Sequence, residues 1–265
     1  MQITSAATEP APNSTNEDLY RTGNGYALVL DGAGRYPNEP GGCVHPVTWN
    51  VSHLAEHISH ELADDRSLTE VVRRAIEATV ADHGPQCDTD DPLSPGSAGA
   101  IVRVRGELVE WLVLGDCAVV VEHRDGHHTV VIDDRVDRLP DAPVTDGEVR
   151  TYSPAYVRTV RNRPGGFWVL GAVPAAAGHA LIGDLPQSDV ARVLICSDGI
   201  SRLAERYGLS WANVYALVDA GGPQALVAAV REAEHADPAP RRWRGKKHDD
   251  ATAVIFEPTR TRLVA

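Results

Sequence analysis

The chain has 265 residues, and its 25 Lys and Arg stand against 37 Asp and Glu, a formal net charge of -12 with neutral histidines. That length buries a full core without staples, and the acidic balance argues against nucleic-acid and anionic-membrane partners. No apolar run approaches the roughly 20 residues of a membrane helix, and Met1 to Ser14 lacks the basic start and apolar stretch of a secretory leader, so a cytoplasmic location is expected.

Taken in chain order, Tyr26 to Leu30 is a short apolar strand that delivers Asp31 into an expected glycine turn, Asp31-Gly32-Ala33-Gly34. Apolar residues recur at spacings of three and four from Val47 to Ala63 and from Leu68 to Val80, which predicts two amphipathic helices. His53, His57 and His60 share one face of the first. They do not form H-E-x-x-H, so the face is read as solvated. Asp88 to Gly96 is a loop. Ile101 to Val104, Val109 to Leu114, Val119 to Glu122 and Thr129 to Ile132 follow as short strands of one antiparallel meander. Pro140 to Pro164 reads as a long excursion carrying Arg150, Arg158, Arg161 and Arg163, and Phe167-Trp168 opens a core strand. Val190 to Cys196 is a further strand, again ending on an acidic glycine turn, Ser197-Asp198-Gly199. Helices are predicted at Ile200 to Tyr207, Trp211 to Asp219 and Pro223 to Glu234. A basic loop, Arg241 to His248, and a last strand, Ala251 to Phe256, close the chain. With no repeat and no convincing linker, residues 1–265 read as one domain. The four cysteines form no C-x-x-C pair and are read as reduced, mostly buried small hydrophobes.

Three separated segments place a carboxylate where a strand meets a loop: Asp31-Gly32, Asp198-Gly199 and Asp249-Asp250, with Glu17-Asp18 upstream. An all-oxygen donor set without cysteine favours Mg2+ or Mn2+ over zinc. Carboxylates shared between two such ions make a two-metal hydrolase site. Each Asp-Gly taken alone is also good turn chemistry. The absence of G-x-S-x-G and of G-x-x-x-x-G-K-[ST] removes the serine-hydrolase and P-loop readings.

In their order these segments resemble the metal-dependent protein phosphatase family, protein phosphatase 2C. Asn16-Glu17-Asp18 is similar to its N-E-D motif and Asp31-Gly32-Ala33-Gly34 to D-G-x-G-G. Gly96-Ser97-Ala98 with Gly115-Asp116-Cys117 is similar to G-[ST]-[TA]…G-D-S, Ser197-Asp198-Gly199-Ile200 to S-D-G-[LI], and Asp249-Asp250-Ala251-Thr252 to D-[ND]-x-T. The resemblance implies an α+β fold, a four-layer α-β-β-α sandwich of two antiparallel sheets flanked by helices. It implies two Mn2+ or Mg2+ ions. Asp31 would bridge them, the Gly32 carbonyl would ligate the second, Asp198 and Asp249 would ligate the first, and Glu17 or Asp18 would hold metal-bound water. Asp31, Asp198 and Asp249 are thereby the implied catalytic residues.

The departures from the family pattern are specific. Asn13 stands where a phosphate-binding Arg usually precedes N-E-D. Ala33 stands where some members carry a general-acid His, and Arg35 replaces a glycine. Arg202 replaces a carboxylate serving a third metal, which leaves Asp116 as a remnant of that site. Arg35 or Arg202 is expected to replace the missing phosphate clamp, and Arg161 to meet substrate from the flap. The expected activity is phosphatase action on phosphoserine or phosphothreonine in proteins, or on a smaller phosphomonoester. The alternative is a non-catalytic relative that binds a phosphorylated partner.

Overall fold

The computed structural model describes residues 3–34, 36, 39, 41–140, 143–146 and 149–258. From the N-terminus the elements are β1 (Ile3–Glu9), β2 (Leu19–Gly23), β3 (Tyr26–Ala33), α1 (Val47–Glu61), α2 (Leu68–Ala81), β4 (Gly96–Arg105) and β5 (Leu108–Leu114). They continue with β6 (Ala118–His123), β7 (His128–Ile132), β8 (Val144–Asp146), β9 (Val149–Thr151), α3 (Pro154–Val160), β10 (Leu181–Pro186) and β11 (Val190–Cys196). The chain closes with α4 (Asp198–Glu205), α5 (Trp211–Gly221), α6 (Pro223–Ala236) and β12 (Ala251–Glu257).

Alternation along the strands builds the layers. In β3, Ala27 and Val29 point into a core shared with Val193, Ile195, Val254 and Phe256 of the opposing sheet. Leu28 and Leu30 point the other way, against Val51, Leu54, Ala55 and Ile58 of α1 and Val72 and Ile76 of α2. In β11, Val193 and Ile195 face inward while Leu194 and Cys196 meet the α4–α6 layer. The result is the expected α-β-β-α sandwich. One antiparallel sheet has the order β1-β12-β11-β6-β7 and the other β10-β5-β4-β3-β2. Both strand faces are covered, so each fully buried Leu, Ile or Val contributes about 1.5–3 kcal/mol. α2 begins cleanly because Ser67 accepts the Glu70 amide at its N-terminus.

Four expectations are corrected. The meander is split: β4 and β5 lie in one sheet, but β6 pairs with β11 and β7 in the other. The switch occurs at Gly115, whose φ of +77° and tight approach to Ala98 exclude a side chain. Second, β3 runs on through Asp31, Gly32 and Ala33, so these residues are strand and the turn begins at Gly34 (φ +128°). Third, Phe167-Trp168 starts no strand. Leu170 makes a single bridge to Ser97, and Trp168 stacks on His179 at 3.6 Å. Fourth, Cys43 and Cys87 are only half-buried, with sulfurs 3.5 Å apart, while Cys117 and Cys196 are buried as expected. Within the predicted excursion lie β8, β9 and α3. Among the described residues no helix is long and apolar enough to cross a membrane.

Candidate functional site

Antiparallel pairing brings the acidic segments to one end of the sandwich. The start of β2 lies beside the end of β3, the end of β11 beside the start of β12, and the β5–β6 crossover opens at the same end. Asp18, Asp31, Asp116, Asp198 and Asp249 are thereby gathered from five separate positions in sequence, and each acts electrostatically on others of the set.

Short hydrogen bonds lock the three motif segments together. Ser197 Oγ donates to Asp18 Oδ2 at 2.7 Å and accepts the Thr252 amide at 3.0 Å. The Asp250 carboxylate accepts the amides of Ala11 and Glu17 at 2.8 Å each. It thus anchors the segment that carries Glu17 and Asp18. The two glycines serve close approach rather than turns: a Cβ at Gly32 would lie 2.5 Å from Val47 Cγ1 and 2.7 Å from the Glu17 carbonyl, and one at Gly199 would overlap the Asp250 carbonyl. The Asp-Gly pairs are therefore packing requirements of the site, and Asp198 is the first residue of α4.

The carboxylates divide into two groups by their partners. Burial pushes the Asp18 carboxyl up to about 8, only partly opposed by hydrogen bonds from Ser197 and Thr252. Its Oδ1 is buried with no hydrogen-bond partner. Burial and the charges of Asp18, Asp198, Asp116 and Asp249 raise the Asp31 carboxyl well above the usual range. The other three face cations. Asp116 accepts from Arg244 at 2.9 Å, and burial still raises it. Burial works to raise Asp198, but Arg202, Arg206 and Arg244 outweigh it and hold the group low. Asp249 is raised by burial and by Asp198, against the pull of Arg202 and Lys246.

Arg202 is placed differently from expectation. It is fully buried and lies between Asp198 and Asp249, so its guanidinium has no surface to offer a substrate. The cause is helical spacing, which returns a side chain four residues on to the face of Asp198. Arg161 is also buried and is not brought to the cluster: it donates to the Pro92 and Ser94 carbonyls and lines a cavity of about 150 Å³ with Asp91 and Arg163. Arg35 lies outside the described residues. Glu17, half-buried, contributes to the field at Lys246, and Asn13 is exposed with φ +60°.

Two residues of the site, Arg206 and Glu234, escaped sequence reading, and two more, Arg244 and Lys246, were visible only as members of the basic loop. Lys246 Nζ lies 3.5 Å from Asp249 Oδ1 with half its side chain exposed, Arg244 bridges Asp116 and Asp137, Arg206 lies 3.6 Å from Asp198, and Glu234 backs Arg202. The basic run was the available signal for Arg244 and Lys246. Among the described residues, the trio whose ligand atoms all lie within 4.8 Å of one another is His53, His57 and Asp82. Both rings hydrogen-bond to Asp82 Oδ2, at 2.8 and 2.7 Å.

A pH dependence follows. A carboxyl whose folded pKa exceeds its unfolded value binds its proton more tightly in the native state, so that stability is lost as pH rises between the two. For Asp18 the window runs from 3.8 to about 8, and Asp31 acts in the same direction. The thermal midpoint of the chain in chelator is expected to fall across this window, and Asp18→Asn is expected to lessen the fall. A midpoint rising to pH 8 in both proteins would contradict the assignment.

The sequence model of the protein phosphatase 2C family matches residues 12–232. No curated protein sequence matches this chain. Among solved structures, the chain is similar to the Mycobacterium tuberculosis serine/threonine phosphatase PstP/Ppp, at 16% identity and a TM-score of 0.60, covering 98% of this chain and 99% of that one. It is similar to the Ser-Thr phosphatase MsPP from Mycobacterium smegmatis in complex with cacodylate, at 19% identity and a TM-score of 0.57, covering 97% and 98%. A third likeness is the catalytic domain of PstP in complex with two manganese ions, at 16% identity and a TM-score of 0.56, covering 97% of each chain.

Proposed function

Because the chain belongs to the protein phosphatase 2C family, we propose that it hydrolyses phosphoserine and phosphothreonine in proteins with the help of Mn2+ or Mg2+. The observation that carries this reading is the buried, unpartnered Asp18 Oδ1 beside the uncompensated Asp31. Buried carboxylates in that state call for a hard cation. Asp18, Asp31 and the Gly32 carbonyl are the donors on that side, and on the other Asp198 and Asp249 pair with Arg202.

A divalent ion held there lowers the pKa of water towards neutrality and offsets charge on phosphoryl oxygens. The chain's own residues do the rest. Glu17 or Asp18 positions the attacking water. Lys246, exposed at the rim beside Asp249, captures the phosphoryl group where Asn13 offers no charge. Ala33 supplies no proton, so the leaving oxygen takes its proton from solvent.

The test is steady-state hydrolysis of a phosphothreonine peptide. Lys246→Ala is expected to raise KM about fivefold with little change in kcat, the loss of one exposed charge contact. An unchanged KM would remove Lys246 from this role. A second reading, a non-catalytic relative that binds a phosphorylated partner, is favoured by one observation: the Arg202 guanidinium between Asp198 and Asp249.

A further inference from the structure

Arg202 already places a positive charge at one of the two expected ion positions. Its Nη2 lies 3.0 Å from Asp249 Oδ2 and 3.3 Å from Asp198 Oδ1, and its Nε donates to the Asp198 carbonyl at 3.3 Å. Its Nη1 donates to Glu234 Oε1 at 2.8 Å. Both Arg202 and Glu234 are completely buried. Glu234 is fixed in turn by Arg231 and His248, each at 2.9 Å. Swinging the guanidinium out would strand a buried carboxylate, and a guanidinium cannot escape by losing its proton. Asp116 is likewise taken, by an Arg244 that also holds Asp137.

The opposite side of the cluster has no such provision. Asp18 Oδ1 is buried and unpartnered. Asp31 has carboxylates as its strongest charged neighbours, and among the described residues no ion pair reaches it. Three carboxylates are thus matched by the chain's own cations, and two are left for a cation from solution.

We propose that the Arg202 guanidinium stands in place of one divalent ion. The chain takes up a single Mn2+ or Mg2+, on the Asp18, Asp31 and Gly32 side, while Asp198 and Asp249 remain with Arg202. The proposal rests on the reading of the cluster as a divalent-ion site. It makes Arg202 a resident electrostatic element rather than a substrate clamp, and it makes the site mononuclear, where paired ions about 3.5–4 Å apart define a two-metal hydrolase.

Calorimetric titration of the full chain with Mn2+, with electron paramagnetic resonance of the loaded protein, tests this without relying on turnover. The expected wild-type result is one tightly bound Mn2+ per chain with the hyperfine pattern of an isolated ion. His57→Ala serves as a control that discounts uptake by the histidine trio. The double variant Arg202→Ala/Glu234→Ala removes both members of the buried pair, so neither is left stranded. It is expected to bind two ions, with the broadened spectrum of an exchange-coupled pair. Two coupled ions in the wild type would overturn the proposal while sparing the phosphatase reading. No Mn2+ uptake by the wild type would overturn both.

Discussion

Asp31→Asn is expected to abolish divalent-ion-dependent phosphomonoester turnover while leaving the fold intact. Changing a group that merely supports a metal ligand typically costs 10–100-fold, so the loss at Asp31, proposed to contact the ion directly, is expected to exceed about 100-fold. The fold survives because burial and four neighbouring carboxylates already favour the neutral acid at this position, and an asparagine side chain has nearly that shape and no charge. The ion-free variant should therefore melt at or above the wild-type temperature. Saturating Mn2+ should raise the wild-type midpoint, since an ion at 100 times its Kd contributes about 2.7 kcal/mol, and raise that of the variant much less. Turnover of p-nitrophenyl phosphate and thermal melts with and without Mn2+ read both effects. Wild-type turnover in the variant would remove Asp31 from the chemistry.

The second large effect is on stability. Glu234 is fully buried and accepts from Arg202, Arg231 and His248. Glu234→Ala leaves the Arg202 guanidinium with one fewer buried carboxylate and opens a cavity beside it. Breaking a buried pair by deleting one partner costs about 3–5 kcal/mol, which lowers the midpoint of a chain this size by on the order of 10 °C. Glu234→Gln keeps the shape and one acceptor, and its loss should be smaller. Urea denaturation of the three proteins measures the difference. A cost below about 1 kcal/mol for Glu234→Ala, the range of an exposed pair, would mean that the ion pair is not held in the core.

The layers were legible because β3 and β11 alternate, with Leu28 and Leu30 on one face of a strand and Ala27 and Val29 on the other. β1 and β10 were not. In β1, Ala7 is the buried apolar residue of the described side chains, and β10 exposes Leu181 and Ile182 at a sheet edge, so neither carries the pattern of a half-buried strand. The meander was misassigned because each strand pair reads the same whether its neighbour lies in the same sheet or the opposite one. Only the backbone at Gly115 decides that.

The clustering of Asp18, Asp31, Asp116, Asp198 and Asp249 was legible because strand ends deliver them together. Their cations were harder to read. Arg202 was expected as a phosphate clamp, and Glu234 only as the last residue of a predicted helix. Their pairing spans 32 residues and depends on how α4 and α6 pack. The direction of a long side chain is set by such packing rather than by the local sequence. The glycines were read as turns because Asp-Gly carries that preference, whereas Gly199 is small because the Asp250 backbone passes directly over it.

The most direct measurement is hydrolysis of p-nitrophenyl phosphate by the purified wild-type chain, first in chelator and then with Mn2+ or Mg2+ restored. No turnover is expected in chelator and recovery is expected on addition of the ion, because the buried carboxylates of Asp18 and Asp31 are proposed to form a working site only around a cation. Turnover indifferent to chelator, or none from a chain shown to have bound Mn2+, would contradict this proposal.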